Sequence, residues 1–535
     1  MQVRAAARGF SDHALLDVEL ETPPWCFLGE PTIGKGSEEE DLLLAELTQT
    51  LPTLLPSEAY PPDNWLDIHS IPSDAATTTT SIQLLYQAYQ TAWTTHAEPK
   101  RFCSKSASWW SSDLTDKSKA LRTATRKATP PWQRKDARRK YSRRQRHHPD
   151  FLQQHPTWSP TPSTRSRTEK RAELRQAIRR ARNKHMETRI REISEEVGRV
   201  WDLGKWTHPR RSSMATDLIH DGQTLTDPES LWPAFNQTFH AATHRPVDHS
   251  ILEDIEQLTP RDWPPFSSQE LKDAIKNTTT SSAPGVDHIH WRHLKFFIDP
   301  KKNPKTADKI LQGFRTLFNA CIQYNVWPEE FRRAVTVIIP KPNKPDYSKI
   351  KAYRPIVLLS CTAKWLEKVI NNRLQYDLHK HGILHPCQFG SAWQKSTVDA
   401  VNFLQTHIRG GWHEGLVTTM LGFDIAQFFP SVNHGLLVNI LRRYGFSPTF
   451  CTFIATYFSP RKSSFRFRNS TSPDFECPDV GVGQGSSLSP TFSAVYLAPV
   501  LHAMHGTSTI QSQFALQFYV DDGNLVATSD STERL

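Results

Sequence analysis

Paired cysteines are missing from this 535-residue chain. Its seven cysteines, Cys26, Cys103, Cys321, Cys361, Cys387, Cys451 and Cys477, are odd in number and scattered, and no two form a CxxC step. That pattern argues against a zinc site and against a disulfide framework, and points to a reducing compartment. Long apolar runs are missing too: none approaches about eighteen residues, and the opening "MQVRAAARGFSDHALL" has basic residues with no apolar stretch behind them. No membrane span and no secretion signal are expected, so the protein reads as intracellular. Mean hydropathy is low (-0.55) and prolines number 38, which predicts an irregular part beside a globular one.

What is present is localised charge. Lys and Arg total 65 against 55 Asp and Glu, a net +10. In "RKDARRKYSRRQR" the residues Arg134, Lys135, Arg138, Arg139, Lys140, Arg143, Arg144 and Arg146 face only Asp136, and a second basic stretch runs from Arg165 to Arg191. Both are candidate contacts for a polyanion. Residues 21–165 mix Pro, Ser and Thr, then turn basic, and have too few apolar clusters for a core of their own; they are expected to be largely irregular. Over 166–265 the spacing of Leu174, Ile178, Ile190, Ile193, Val197, Val200 and Trp201 predicts one long amphipathic helix from Thr168 to Trp206, with packing as its expected role. Ser267 and Glu270 form a capping-box pattern, Val335 to Ile339 a β-branched strand, and Trp365 to Leu374 a helix face.

Three stretches carry chemistry. In "LVTTMLGFDIAQFFPSVNHGLLVNILRRYG" an apolar strand delivers Asp424 at its C-terminal end, and a helix follows from about Ser431 with Gly445 as its stop. In "LQFYVDDGNLVAT" two strands flank an Asp-Asp-Gly turn bearing Asp521 and Asp522. If the two strands are neighbours, three carboxylates meet, and such crowding calls for a hard cation such as magnesium. Taken alone, Asp-Asp-Gly is an ordinary hairpin turn. In "GVGQGSSLSP" the glycines Gly481, Gly483 and Gly485 permit close backbone approach, and Ser489-Pro490 starts a helix.

In this order the segments resemble the reverse transcriptases of non-LTR retrotransposons, over roughly residues 265 to 535. "SSAPGVDHIHWRHLK", "IIPKPNKPDYSKIKAYRPIVLLSCTAKWLEKVINNRL", "QFGSAWQKSTVDAV", "FDIAQFFPSVNH" (motif A), "GVGQGSSLSP" (motif B) and "FYVDD" (motif C) follow one another as they do in that family. The resemblance implies an α/β fold with an α+β palm: a right-hand polymerase with an N-terminal extension and the start of the fingers over 266–345, and fingers with a partial palm over 346–535, cut before a thumb and preceded by a helical basic linker and a partly disordered N-terminal region. It implies two Mg2+ ions held by Asp424, Asp521, Asp522 and the Ile425 carbonyl. Lys341 and Arg354 would hold the incoming triphosphate, Gln484 and Gly485 would line template and nucleotide, and Phe429 would exclude a ribose 2'-hydroxyl. Phe428 and Gly483 depart from the family's usual residues. "GFSDHALLDVEL" resembles the last strand of an apurinic-type endonuclease, making residues 1–20 a remnant with Ser11, Asp12 and His13. Implied partners are an RNA template, a DNA primer and deoxynucleoside triphosphates, in the nucleus or a cytoplasmic ribonucleoprotein. The competing expectation is a catalytically inactive nucleic-acid-binding relic of a decayed element.

Overall fold

The computed structural model describes residues 2–5, 16–19, 27–55, 72–102, 111–128, 162–195, 217–241, 245–280, 282–342, 344–468, 470–478, 480–505 and 513–534. Ser11, Asp12, His13 and the basic run from Arg134 to Arg146 lie outside them. The chain divides into two units, Met1–Thr32 with Pro99–Ser212, and Ile33–Glu98 with Ser213–Leu535.

In the first unit, strand Gln2–Ala5 pairs antiparallel with Leu16–Glu19. Helix Ser112–Ala128 packs along the 34-residue helix Pro162–Glu195. The long helix therefore begins before the expected Thr168, and the expected extension to Trp206 lies outside the described residues. Its half-buried positions are Lys170, Leu174, Ala177, Ile178, Ala181 and His185, while Ile190, expected on the packing face, is exposed.

Within Ile33–Glu98 the second unit holds two helices where the sequence reading expects irregular linker. Ser37 caps helix Glu38–Leu54, and Asp74 with Thr77 forms a capping box on helix Ala75–His96. Leu43, Leu47 and Leu51 on the first, with Ile82, Leu85, Tyr89 and Trp93 on the second, are buried at three- and four-residue spacing. These stripes are too thin to make a core alone, but they bury against one already present. Their cluster continues through Leu271, Phe314, Phe318, Trp365, Ile370, Leu437, Phe453 and Phe492. The predicted capping box is present, with the Glu270 N–H donating to Ser267 Oγ at 3.2 Å and Glu270 Oε2 accepting from the Ser267 N–H at 2.8 Å. The fully buried Trp365 satisfies its one polar atom by donating from Nε1 to the Leu271 carbonyl at 2.9 Å.

A polar knot ties the N-terminal helices to this core. The buried Glu40 carboxylate accepts from Arg292 Nε and pairs with His293 Nε2 at 2.9 Å, and the Tyr89 hydroxyl meets the other nitrogen of that imidazole. Tyr86 bonds Ser360, whose side chain caps helix Cys361–Lys380. Burial alone would raise the Glu40 pKa, but the bonds from His293 and Arg292 outweigh it and hold the carboxyl at about 2.

Two sheets position the candidate site. One runs Ser470–Thr471, Lys462–Phe467, Ala334–Pro340, Tyr353–Leu358, with Phe475–Glu476 also paired to Lys462–Phe467. Its central pair, Lys462–Phe467 with Ala334–Pro340, is parallel. The other is antiparallel, in the order Gln513–Tyr519, Asp522–Ser529, Val417–Asp424. Among the described residues no helix is long and apolar enough to cross a membrane.

Candidate active site

Asp424 ends its strand directly opposite Asp522, the first residue of the neighbouring strand. Directly opposed residues of an antiparallel pair project to the same face, so the two carboxylates share one end of the sheet. The hairpin differs from the expected Asp-Asp-Gly turn. Tyr519 pairs with Asp522, so the turn consists of Val520 and Asp521, and Gly523 already lies in the strand. Gly523 is there for another reason: a Cβ on it would stand 2.4 Å from the Phe423 ring, which packs edge-on against Phe518 at 5.3 Å. The turn is strained, with the β-branched Val520 at a φ of +63°. It is held by the segment Cys387–Gly390. The Phe518 N–H donates to the Cys387 carbonyl at 2.9 Å, the Phe389 N–H donates to the Phe518 carbonyl at 2.8 Å, and Gly390 lies so close that a Cβ would stand 2.4 Å from the Val520 nitrogen. The apolar strand that delivers Asp424, Val417–Asp424, is the edge of its sheet among the described residues, with Met420 54% and Leu421 60% exposed.

Past Asp424 the chain is pinned at three successive residues. The Ile425 N–H donates to the Asp521 carbonyl at 3.2 Å, joining motif A to the hairpin. Arg245 Nη1 donates to the Ala426 carbonyl at 3.0 Å. Gln427, in the left-handed region at a φ of +54°, donates from its side chain to the Thr238 carbonyl at 3.1 Å. The chain then turns inward: Phe428 is buried with Leu497, Leu501 and Phe518, while Phe429 is half-buried against the main core. The helix expected from about Ser431 starts at His434, capped by Asn433, after a separate short turn Phe428–Ser431. Gly445 closes it at a φ of +75°.

Motif B lies against both neighbours by its backbone. The Val482 N–H donates to the Phe429 carbonyl at 2.8 Å, and the Gln484 carbonyl accepts from the Val357 N–H at 2.8 Å. Gly485, at a φ of +146°, sits where a Cβ would be 2.1 Å from the Val357 carbonyl oxygen; no other residue fits there. Helix Ser489–His505 follows, as Ser489-Pro490 predicts. Thus Phe429, Gln484 and Gly485 belong to one backbone-linked group, and Asp424, Ile425, Asp521 and Asp522 to another that shares Phe429's loop. Lys341 and Arg354 form a third. Ile339 pairs with Arg354, the Lys341 N–H bonds the Ala352 carbonyl, and burial, then Lys344 and Arg354, push the Lys341 ammonium pKa down. Crowded cations of this kind are relieved by a bound anion.

The acidic group suits a hard cation by its chemistry. Burial first, then the charges of Asp522 and Asp424, raise the Asp521 pKa, which is the signature of carboxylates crowded without a counter-ion. Among the described residues no three His, Cys, Asp or Glu side chains stand close enough to enclose a metal ion by themselves.

Sequence reasoning missed Thr238 and Arg245. Both lie far from the motifs they touch, in separation 189 and 181 residues, and nothing local marks them beyond an arginine in "HRPVD".

Comparison with known proteins agrees with this geometry. Residues 339–534 match the family described as reverse transcriptase (RNA-dependent DNA polymerase). The chain is 30% identical over 271 residues to a probable RNA-directed DNA polymerase from transposon BS of Drosophila melanogaster, covering 50% of this chain and 28% of that protein. It is 25% identical over 295 residues to the RNA-directed DNA polymerase from mobile element jockey of Drosophila funebris, covering 54% and 30%. To the probable RNA-directed DNA polymerase from transposon X-element of Drosophila melanogaster it is 27% identical over 263 residues, covering 49% and 27%. The chain thus spans less than a third of the length of these relatives. Within that span, residues 339–534 carry a reverse transcriptase domain of the kind found in the polymerases of non-LTR retrotransposons.

Proposed function

We propose that this domain extends a DNA 3'-hydroxyl along an RNA template, using deoxynucleoside triphosphates, as an intracellular enzyme. The observation that carries the reading is the pairing of Asp424 with Asp522 at one sheet end, with Asp521 in the adjoining turn and bonded through its carbonyl to the Ile425 N–H.

Asp424, Asp521 and Asp522, with the Ile425 carbonyl, would hold two magnesium ions. When bound, these supply Lewis-acid activation of the primer hydroxyl and charge neutralisation at the departing pyrophosphate. The remaining roles fall to the protein. Lys341, a point charge, and Arg354, a planar fork, bind the triphosphate and orient it. Gln484 and Gly485 would line the template and nucleotide, held in place by the bond from the Val357 N–H to the Gln484 carbonyl. Phe429, fixed through its carbonyl by Val482, sets its ring against the sugar, so that an added 2'-hydroxyl meets carbon instead of space. The right-hand arrangement of fingers and palm follows from this reading, with the five-stranded sheet on the fingers side and the three-stranded sheet in the palm.

The test is extension of a labelled DNA primer on an RNA template with magnesium, comparing the chain with Asp424→Asn and Asp521→Asn. Extension that vanishes in both variants while their folding is unchanged supports the proposal. Extension that persists in either variant refutes the carboxylate assignment, and none by the unaltered chain on any primed template refutes the proposal and favours the inactive relic.

A further inference from the structure

Between strand Tyr353–Leu358 and the glycine-rich segment of motif B lies a cavity of about 120 Å³. Protein interiors leave few voids larger than a water molecule, so a space of this size needs walls that cannot close it. The floor is the five-stranded sheet, where Ala334 pairs with Ser463 and Thr336 with Val357. The roof is the backbone of Gly481–Gln484, fixed from both sides by the bonds of Val482 to Phe429 and of Gln484 to Val357. Arg354 alternates with Pro355 and Val357 along its strand, so the cavity lies on the other face from the side chain assigned to the triphosphate.

The lining is apolar by arrangement as well as by composition. The Thr336 and Ser463 hydroxyls bond each other at 2.8 Å and leave their carbon atoms to the cavity. His434 meets the Gly481 carbonyl through Nε2 at 2.7 Å and lies flat on Phe458, ring centres 4.2 Å apart. Phe239 and Phe475 add two more rings. Among the described residues the lining contains no Asp, Glu or Lys, and its one permanent charge is Arg461. That guanidinium donates from Nη2 to the Tyr457 carbonyl at 3.1 Å and stands 4.2 Å over the Tyr457 ring, and no carboxylate of the described residues is paired with it. Glu367, the acid whose field it feels, is engaged elsewhere: its carboxylate accepts from the Tyr457 hydroxyl at 2.9 Å and the Ser487 N–H at 2.8 Å. A second cation, Arg332, is near enough that burial and then Arg461 push its pKa down.

We propose that this cavity is a binding site for a small aromatic carboxylate, its single ring enclosed and its acid group on Arg461. An apolar cavity of about 150 Å³ takes up benzene, so the space suits one ring and not a fused pair. Rings favour edge and offset-face contact with other rings, which Phe239, Phe458 and Phe475 supply. A guanidinium fork matches a carboxylate through two parallel bonds. Arg461 is partly exposed, so a carboxylate placed on it keeps contact with water while the ring leaves it. Binding here does not depend on the polymerase reading.

The test titrates para-fluorobenzoate into the full chain and follows its fluorine NMR signal, with para-fluorobenzamide as the uncharged counterpart. An acid of roughly ten non-hydrogen atoms should saturate with a dissociation constant of about 1 mM or below. The amide should bind about tenfold more weakly, the worth of one charge-assisted pair. Ala334→Leu, which fills the floor, should weaken both ligands by about tenfold or more. Arg461→Gln should bring acid and amide within about twofold of each other while the amide's own affinity holds. Circular dichroism checks that both variants fold; if one does not, the other variant and the acid-to-amide ratio of the unaltered chain still decide. No saturation by about 10 mM acid, equal binding of acid and amide to the unaltered chain, an Ala334→Leu chain that binds as before, or a preference that survives Arg461→Gln would each overturn the assignment.

Discussion

Replacing Glu40 by Gln tests whether the N-terminal helices are a working part of the second unit. The carboxylate is 5% exposed and joins Arg292 and His293. It is held at about 2 against an ordinary 4.5, a difference of roughly 2.5 units, or about 3 kcal/mol at 1.36 kcal/mol per unit. Stripping one partner from a buried ion pair costs about 3–5 kcal/mol, because the other charge is left uncompensated. The two routes agree, and for a unit of this size they predict a fall in melting temperature of roughly 4 °C. The sign with pH is fixed: a carboxyl lowered by folding contributes fully above about pH 4.5, and the contribution disappears as pH falls towards 2. Thermal unfolding of the full chain, followed by fluorescence at pH 7 and again near pH 3, should show the gap between wild type and Glu40→Gln narrowing in acid. The exposed neighbour Glu38→Gln should be neutral. A melting point within 1 °C of wild type at pH 7, or a Glu40–His293 double-mutant coupling below about 0.5 kcal/mol, would refute the reasoning.

Gly485→Ala should destabilise by about 3 kcal/mol, since its Cβ would collide with the Val357 carbonyl at an unfavourable φ; urea unfolding measures this, and a cost below 1 kcal/mol would contradict it. Arg245→Gln removes a charged hydrogen bond of about 1.5 kcal/mol to the Ala426 carbonyl and should lower stability by about that amount; urea unfolding measures it, and a cost below about 0.5 kcal/mol would contradict it. Phe429→Ala should raise ribonucleotide incorporation relative to deoxynucleotide by at least tenfold in competition assays, and unchanged selectivity would remove Phe429 from the gate.

The strands of the candidate site were legible because their signals are local. Asp424 at a strand exit, Asp521-Asp522 between strands, and glycines before a helix each follow from short-range rules. The tertiary roles of those same residues were not. Gly523 looked like a turn residue and proved to be clearance for the Phe423 ring. The N-terminal helices looked like a linker because leucine stripes count as core material only when a partner surface exists, and that surface begins at Ile255, more than 150 residues after the second helix ends. Arg245 and Thr238 were invisible for the same reason: their partners are carbonyl and amide groups whose position only the folded chain determines.

The Glu40 knot has a consequence for synthesis. His293 follows Glu40 by 253 residues. At about 5–20 residues per second the ribosome needs roughly 13–50 s to deliver it. Throughout that interval the carboxylate is unmatched and each of the two helices has only the other to cover its apolar stripe, while the whole segment Pro99–Ser212 of the other unit is made. The second unit cannot close in the order it is translated: its first-made helices must wait for its later-made core, and a chaperone that shields leucine stripes has its window there.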